Sequence, residues 1–167
     1  MKPPETRTGI LVRTDVRPGD LGAVVGLHGR LYATEYGFDE TFEAYVAGPL
    51  ADMVLRRSPR ERIWLAERGH AIVGSVAIVA AADDVAQLRW FVVDPSARGA
   101  GLGRTLIDRA IGFAAQAGYR SIVLQTVGAL TAAAHLYVRA GFRRVDAQSH
   151  RLWGVDVVEE RYERALP

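Results

Sequence analysis

One stretch constrains the chain more than any other: Val92-Val93-Asp94-Pro95-Ser96-Ala97-Arg98-Gly99-Ala100-Gly101-Leu102-Gly103-Arg104. It reads as a strand end, an Asp-Pro turn, a glycine-rich loop and a helix start. The helix spacing then continues through Leu106, Ile107, Ala110, Phe113 and Ala114 to about Ala117. Glycines let backbone approach a ligand and take positive φ. A helix N-terminus has unpaired amides and the positive end of the macrodipole, so it attracts anions. Arg98 and Arg104 add charge on both sides. The guest this predicts is a phosphate or pyrophosphate. A P-loop would need Lys-Ser/Thr at its end, and a dinucleotide fingerprint would need glycine at 104, where Arg104 stands.

The rest of the chain predicts a mixed fold. Ile10 to Arg13 is a short strand. Leu21 to Tyr36 is a helix with Asp20 as its N-cap. Asp39 caps a second helix carrying Phe42, Val46, Leu50 and Val54, with a kink or break at Gly48-Pro49. Arg62 to Glu67, Ala71 to Ala81 and Gln87 to Val93 are strands with short connections, an antiparallel meander. Ser121 to Thr126 is a strand, Thr131 to Arg139 a helix, and Phe142 to Val145 and Leu152 to Tyr162 are the last strands.

With 167 residues, 49% of them hydrophobic, the chain suits a single domain over 1–167, with Met1 to Gly9 as a flexible polar tail. That tail lacks the apolar core of a signal peptide, and the apolar run Ala71 to Ala82 is too short to span a bilayer. The expected location is cytoplasmic, with no membrane contact. The absence of cysteine removes disulfides, thiolate metal sites and a cysteine nucleophile. The histidines at 28, 70, 135 and 150 lack ligand spacing, so no metal is expected. A net charge of +2 gives a weak overall field. Arg56, Arg57, Arg60, Arg62, Arg143 and Arg144 are a candidate basic patch, but no nucleic-acid motif accompanies them.

Two motifs carry a family resemblance. Arg98-x-x-Gly101-x-Gly103 resembles the pyrophosphate loop of GNAT acetyltransferases. Ala133-Ala134-His135-Leu136-Tyr137-Val138-Arg139-Ala140-Gly141-Phe142 resembles the family's second signature, one helix and one strand downstream. The segment from Leu21 to Ala47 is also similar to acetyltransferase domains sometimes fused to MarR-type regulators.

The resemblance implies an α/β (α+β) fold: a mixed, mostly antiparallel sheet of about six or seven strands, flanked by about four helices and splayed at an acetyl-CoA site. It implies acetyl-CoA as cosubstrate and an amine of a small molecule or peptide as acceptor. The backbone of Phe91 and Val93 would hold the pantetheine arm. The amides of Arg98, Gly99, Ala100, Gly101, Leu102, Gly103 and Arg104 would face the pyrophosphate. Tyr137 would protonate the departing thiolate; a phenol of unperturbed pKa ~10 is protonated at neutral pH, and its ionisation would remove rate at high pH. Leu130 stands where the family often has an asparagine on CoA. On the acceptor side, His28, Tyr32 and Glu35 share one helical stripe, with Glu35 or His28 able to relay a proton. Asp39, Glu43, Glu159 and Glu160 are weaker candidates, and Trp90, Trp153 and Tyr162 are either pocket walls or core. The alternative function is an acyl-CoA sensor without turnover. An open C-terminal edge strand makes a homodimer possible.

Overall fold

The computed structural model describes residues 9–167; the expected tail, apart from Gly9, lies outside them. The chain forms β1 (Ile10–Arg13), α1 (Asp20–Tyr36), α2 (Glu40–Arg56), β2 (Arg62–Arg68), β3 (Ala71–Ala80) and β4 (Val85–Val93). After the glycine loop come α3 (Leu102–Gln116), β5 (Ser121–Val127), α4 (Thr131–Arg139), β6 (Arg143–Leu152) and β7 (Val155–Ala165). One sheet runs β1-β2-β3-β4-β5-β7-β6. All its pairings are antiparallel except β4 with β5. This is the mixed, mostly antiparallel sheet with four helices that the two motifs imply.

The sheet divides the core in two. Val76, Ile78, Leu88, Ile122 and Leu124 pack one face against Leu106, Ile107, Ala110 and Ala114 of α3, and Tyr137 of α4 joins them. The other face packs Leu65, Ala77, Val79 and Trp90 against Val24 of α1 and Phe42, Val46 and Leu50 of α2. Strands that are apolar on both sides belong in the middle of a layered fold, as β3 does.

Four local expectations are corrected. Asp20 does not cap α1; Gly19 is the cap, and the buried Asp20 carboxylate accepts from both terminal nitrogens of Arg13 at 2.8 Å and from the Arg17 amide at 2.6 Å. Arg13 also donates to Glu67 at 2.7 Å, so a buried ion cluster ties β1 to α1 and β2. The helix through Gly48 and Pro49 is unbroken, because Phe42, Val46, Leu50 and Met53 hold it to the sheet on either side of the proline. The last hairpin turns at Trp153-Gly154, so Leu152 ends β6 and does not start β7. Nearly all of β6 is exposed, so it carries no apolar alternation by which its length could be read. Finally, β4 begins at Val85 rather than Gln87.

β6 is an open edge. Its Arg143, Arg144, Asp146 and Arg151 are the charged residues that discourage edge pairing, so a dimer formed there would gain little apolar contact.

Candidate functional site

The site begins where the sheet comes apart. β4 and β5 pair only at Val85↔Ser121, Ala86↔Ile122 and Gln87↔Val123. Beyond Gln87, β4 stays with β3 while β5 continues with β7 as far as Val127↔Glu159. Among the described residues no strand therefore pairs with the last residues of β4 on their β5 side, and a ligand can take that edge.

A bulge lies at the same place. Ala77 faces Arg89, but Ser75 faces Val92, so β4 has one extra residue there. Trp90 absorbs it with φ 48°. A non-glycine residue in this region is strained by roughly 1–2 kcal/mol. The buried Ser75 hydroxyl donates to the Trp90 carbonyl at 2.6 Å and holds the strained turn. The bulge also inverts the side-chain alternation. Leu88 packs on the α3 side, Trp90 on the α1–α2 side, and Phe91 and Val93 return to the α3 side.

The splay opens into a cleft of about 880 Å³ between α1, the end of β4, the glycine loop and α4. Phe91, Val93, Arg98, Gly99, Gly101, Leu102, Gly103 and Arg104 all line it; Ala100 does not. Gly99 and Gly101 have φ of 85° and 81°, the left-handed values that suit glycine. Gly101 caps α3, and no side chain satisfies the amides of its first turn. Those amides remain for a ligand, together with the helix dipole. Gly103 is needed for a reason besides the ligand: a Cβ there would lie 3.0 Å from Leu136 and 3.3 Å from the Phe91 ring. The loop glycine thus lets α3 sit against α4 and β4. Arg98 is held at 3.0 Å by Glu35 of α1 and donates to the Val93 carbonyl at 3.1 Å. Arg104 is largely exposed, with only a loose 3.6 Å contact to Asp108.

A second, smaller chamber of about 100 Å³ lies on the other side of the splay. Tyr32, Phe91 and Leu130 line both chambers and mark their junction. Aromatic rings wall the inner one: Tyr32, Phe38, Phe42, Tyr45, Trp90 and Trp153. Its polar lining comes from Gln87 and Arg89 of β4, Gln125 and Thr126 of β5, Glu159 of β7 and His28 of α1.

Tyr137 also lines the inner chamber and is 4% exposed. Its ring stands 5.9 Å from Phe91. Burial raises the phenol far above its ordinary pKa, with Tyr32 and Tyr162 adding to the rise. The alkaline loss of rate expected from an ordinary phenol is thus displaced to higher pH. Tyr32 is raised in the same way, chiefly by burial.

The stripe of His28, Tyr32 and Glu35 is divided between the two chambers. His28 and Glu35 are seven residues apart, about 10 Å along a helix at 1.5 Å per residue. Tyr32 sits between them at the junction, His28 faces the inner chamber, and Glu35 reaches the cleft to hold Arg98. The His28 ring is buried and its Nδ1 lies 2.8 Å from the Val24 carbonyl, which fixes Nδ1 as the donor. Burial lowers its pKa to about 4, so the ring is neutral at pH 7.

Of the weaker candidates, Asp39 caps α2 and Glu160 is engaged by Arg144 at 2.9 Å and by the Tyr162 hydroxyl at 3.0 Å. Glu43 lines neither chamber, whereas Glu159 is the one carboxylate among the described residues that lines the inner one. Sequence reasoning missed Gln87, Arg89, Gln125 and Thr126 altogether. Strand alternation would have sent Arg89 to the face opposite Trp90, and only the bulge places both on one chamber.

Four of the six arginines of the candidate basic patch have partners within the fold instead. Arg56 pairs with Glu61, Arg60 lies over the Tyr119 ring, Arg62 over Phe113, and Arg144 pairs with Glu160. Among the described residues no three His, Asp or Glu side chains gather as a metal site, and no helix is long and apolar enough to cross a membrane.

The comparisons agree with this architecture. Residues 29–142 match the family model of the GNAT acetyltransferases. The chain is 30% identical over 122 residues to an uncharacterized N-acetyltransferase of Schizosaccharomyces pombe, covering 71% of this chain and 74% of that one. It is 40% identical over 83 residues to the N-acetylaspartate synthetase of Danio rerio, covering 49% of this chain but only 29% of the fish protein. A solved GNAT acetyltransferase of Staphylococcus aureus Mu50 superposes with a TM-score of 0.77 over 95% of this chain and 99% of that one, at 18% identity, a likeness of fold. By its family match, its motifs and its splayed sheet, the chain belongs to the GNAT acetyltransferase family and is an acyltransferase.

Proposed function

We propose that the chain transfers an acetyl group from acetyl-CoA to the primary amine of a small molecule or peptide. The observation that carries this reading is the pair of chambers joined at Tyr32, Phe91 and Leu130. The outer cleft offers uncapped helix amides and two arginines to a pyrophosphate, and the inner chamber offers a small polar pocket to an amine. The residues fit the cosubstrate. The amides of Gly99 and of Gly101 to Arg104 would donate to the phosphates, and the free β4 edge at Phe91 and Val93 would bond the pantetheine amides. When bound, acetyl-CoA supplies an activated acyl group and a thiolate leaving group.

The chain's own residues then have definable tasks. The β4 edge near Phe91 and Val92 orients the thioester carbonyl and receives the charge that develops on its oxygen. The inner chamber holds the amine in its neutral form, so that the nitrogen lone pair forms the new C–N bond as the C–S bond breaks. Tyr137 donates its phenolic proton to the leaving sulfur. The proton lost by the nitrogen passes to Glu159 or to water, and Tyr137 is reprotonated from solvent. The products are an acetamide and free CoA.

A relative named for making N-acetylaspartate supports a small-molecule amine among the acceptors. The second reading is a sensor that binds acyl-CoA without turnover. Leu130 favours it, because an apolar residue lines the junction where the family often places an asparagine. Thiol release from acetyl-CoA, measured with a panel of amines, separates the two. Amine-dependent release supports transfer. Binding of acetyl-CoA without release for any amine supports the sensor.

A further inference from the structure

We propose that the inner chamber selects an acceptor that carries a carboxylate beside its amine, with Arg89 holding the carboxylate. This rests on the N-acetyltransferase reading and names the substrate class for it.

The first observation is an unsatisfied cation. Five described arginines are buried or half-buried: Arg13, Arg60, Arg68, Arg89 and Arg164. Four of them hold oxygen acceptors. Arg13 binds Asp20 and Glu67, Arg60 the carbonyls of Ala117 and Asp83, Arg68 the Ser96 carbonyl, and Arg164 the Ala140 carbonyl. Of the five, only the Arg89 guanidinium has neither ion pair nor hydrogen bond with any described residue. Its neighbours are rings: the guanidinium lies 5.6 Å from the Tyr45 centroid and 5.0 Å from that of Trp90. Rings fix its position without using its five N–H donors.

The second observation is independent of the first. Three buried polar side-chain atoms lack a partner among the described residues: His28 Nε2, Trp90 Nε1 and Thr126 Oγ1. All three residues line this one chamber. Buried polar atoms are nearly always bonded, so three orphans around one cavity describe a missing polar ligand. Their types are informative. Trp90 Nε1 can only donate, as can Arg89, and together they suit the oxygens of an anion. With Nδ1 donating to Val24, His28 Nε2 can only accept, as can the Glu159 carboxylate, and together they suit an amine. One chamber thus offers donors to an anion and acceptors to an amine.

The bulge serves the same end. Without it, alternation would turn Arg89 and Trp90 to opposite faces of β4, and the strained Trp90 backbone is held in place by Ser75. Planar recognition by a guanidinium favours a carboxylate, which it can bind through two parallel bonds. A chamber of about 100 Å³ has room for an amino-carboxylate head and a short side chain.

The test compares each α-amino acid with its own amide, by thiol release and by quenching of tryptophan fluorescence in protein loaded with desulfo-CoA. Trp90 and Trp153 line the chamber and report occupancy. At least one free acid should be preferred over its amide by on the order of tenfold or more in kcat/KM, the scale of a hydrogen-bonded charge pair. Arg89→Gln should bring acid and amide within about twofold, Arg89→Lys should keep part of the preference, and both should bind acetyl-CoA as the wild type does. The proposal is overturned if no acid is preferred to its amide, or if the preference survives in Arg89→Gln. Efficient transfer to the amides would reject the carboxylate while leaving the N-acetyltransferase reading intact. Failure to bind acetyl-CoA would reject both.

Discussion

Replacing Tyr137 by phenylalanine isolates one oxygen atom. The ring is 4% exposed and packs against Phe91, Phe142 and Tyr162 with centroids 5.9, 6.1 and 5.9 Å away, contacts that phenylalanine keeps. The hydroxyl donates to no described residue, so its removal breaks no internal hydrogen bond. Stability should therefore change by less than about 1 kcal/mol, because the ring keeps its packing and no internal hydrogen bond is lost. General acid catalysis is worth ~10²–10⁴-fold, and a thiolate of pKa ~8.5 leaves fairly well unaided, so a kcat loss of about 10²-fold is expected, with KM for acetyl-CoA little changed. The assay is thiol release at saturating acetyl-CoA between pH 7 and 10. Burial raises the phenol, so any alkaline loss from Tyr137 in the wild type should fall above the pH expected of an ordinary phenol. Wild-type kcat in Tyr137→Phe would refute the acid role and leave Tyr137 a packing residue.

Three further outcomes follow from other groups. His28 has its pKa lowered to about 4 from 6.5, so the unfolded chain binds the extra proton first; stability should fall by about 3 kcal/mol as pH drops from 6.5 to 4. Denaturant titrations at a series of pH values should show this slope, and His28→Asn should flatten it. Ser75→Ala removes the 2.6 Å bond that holds the Trp90 bulge and should cost about 1–2 kcal/mol by the same titrations, with slower thiol release. Gly101→Val and Gly103→Val should both weaken acetyl-CoA binding by calorimetry, but differently in stability. Gly101→Val meets backbone strain of roughly 1–2 kcal/mol with open space around it, whereas Gly103→Val is overpacked against Leu136 and Phe91 by about 1–3 kcal/mol.

What the sequence disclosed depended on whether a signal was local. The glycine loop and α3 were legible because glycines, flanking charge and a 3–4 apolar period all lie within one short stretch. Tyr137 was legible only through a motif; in isolation it reads as core, and it is indeed buried in the core as well as facing the chamber. Asp20 looked like a cap because its type suits one, but a partner seven residues upstream, Arg13, claimed its carboxylate. β6 was truncated because a solvated strand has no period to read. Glu35 and His28 share a helix face, but seven residues of rise carry them to different chambers, a separation visible only once the sheet splays. Arg89 was hidden most thoroughly, since a one-residue bulge reverses the rule by which strand faces are assigned.

The central claim is that acetyl moves from CoA to an amine nitrogen at the junction of the two chambers. A single-turnover reaction with acetyl-CoA labelled in the acetyl carbonyl carbon, followed by carbon NMR, tests it most directly. The account expects the label to pass from thioester to amide at the rate at which free thiol appears, and only when an amine is present. Label that remains in the thioester with every amine, although acetyl-CoA is bound, or that passes to free acetate alone, would contradict it.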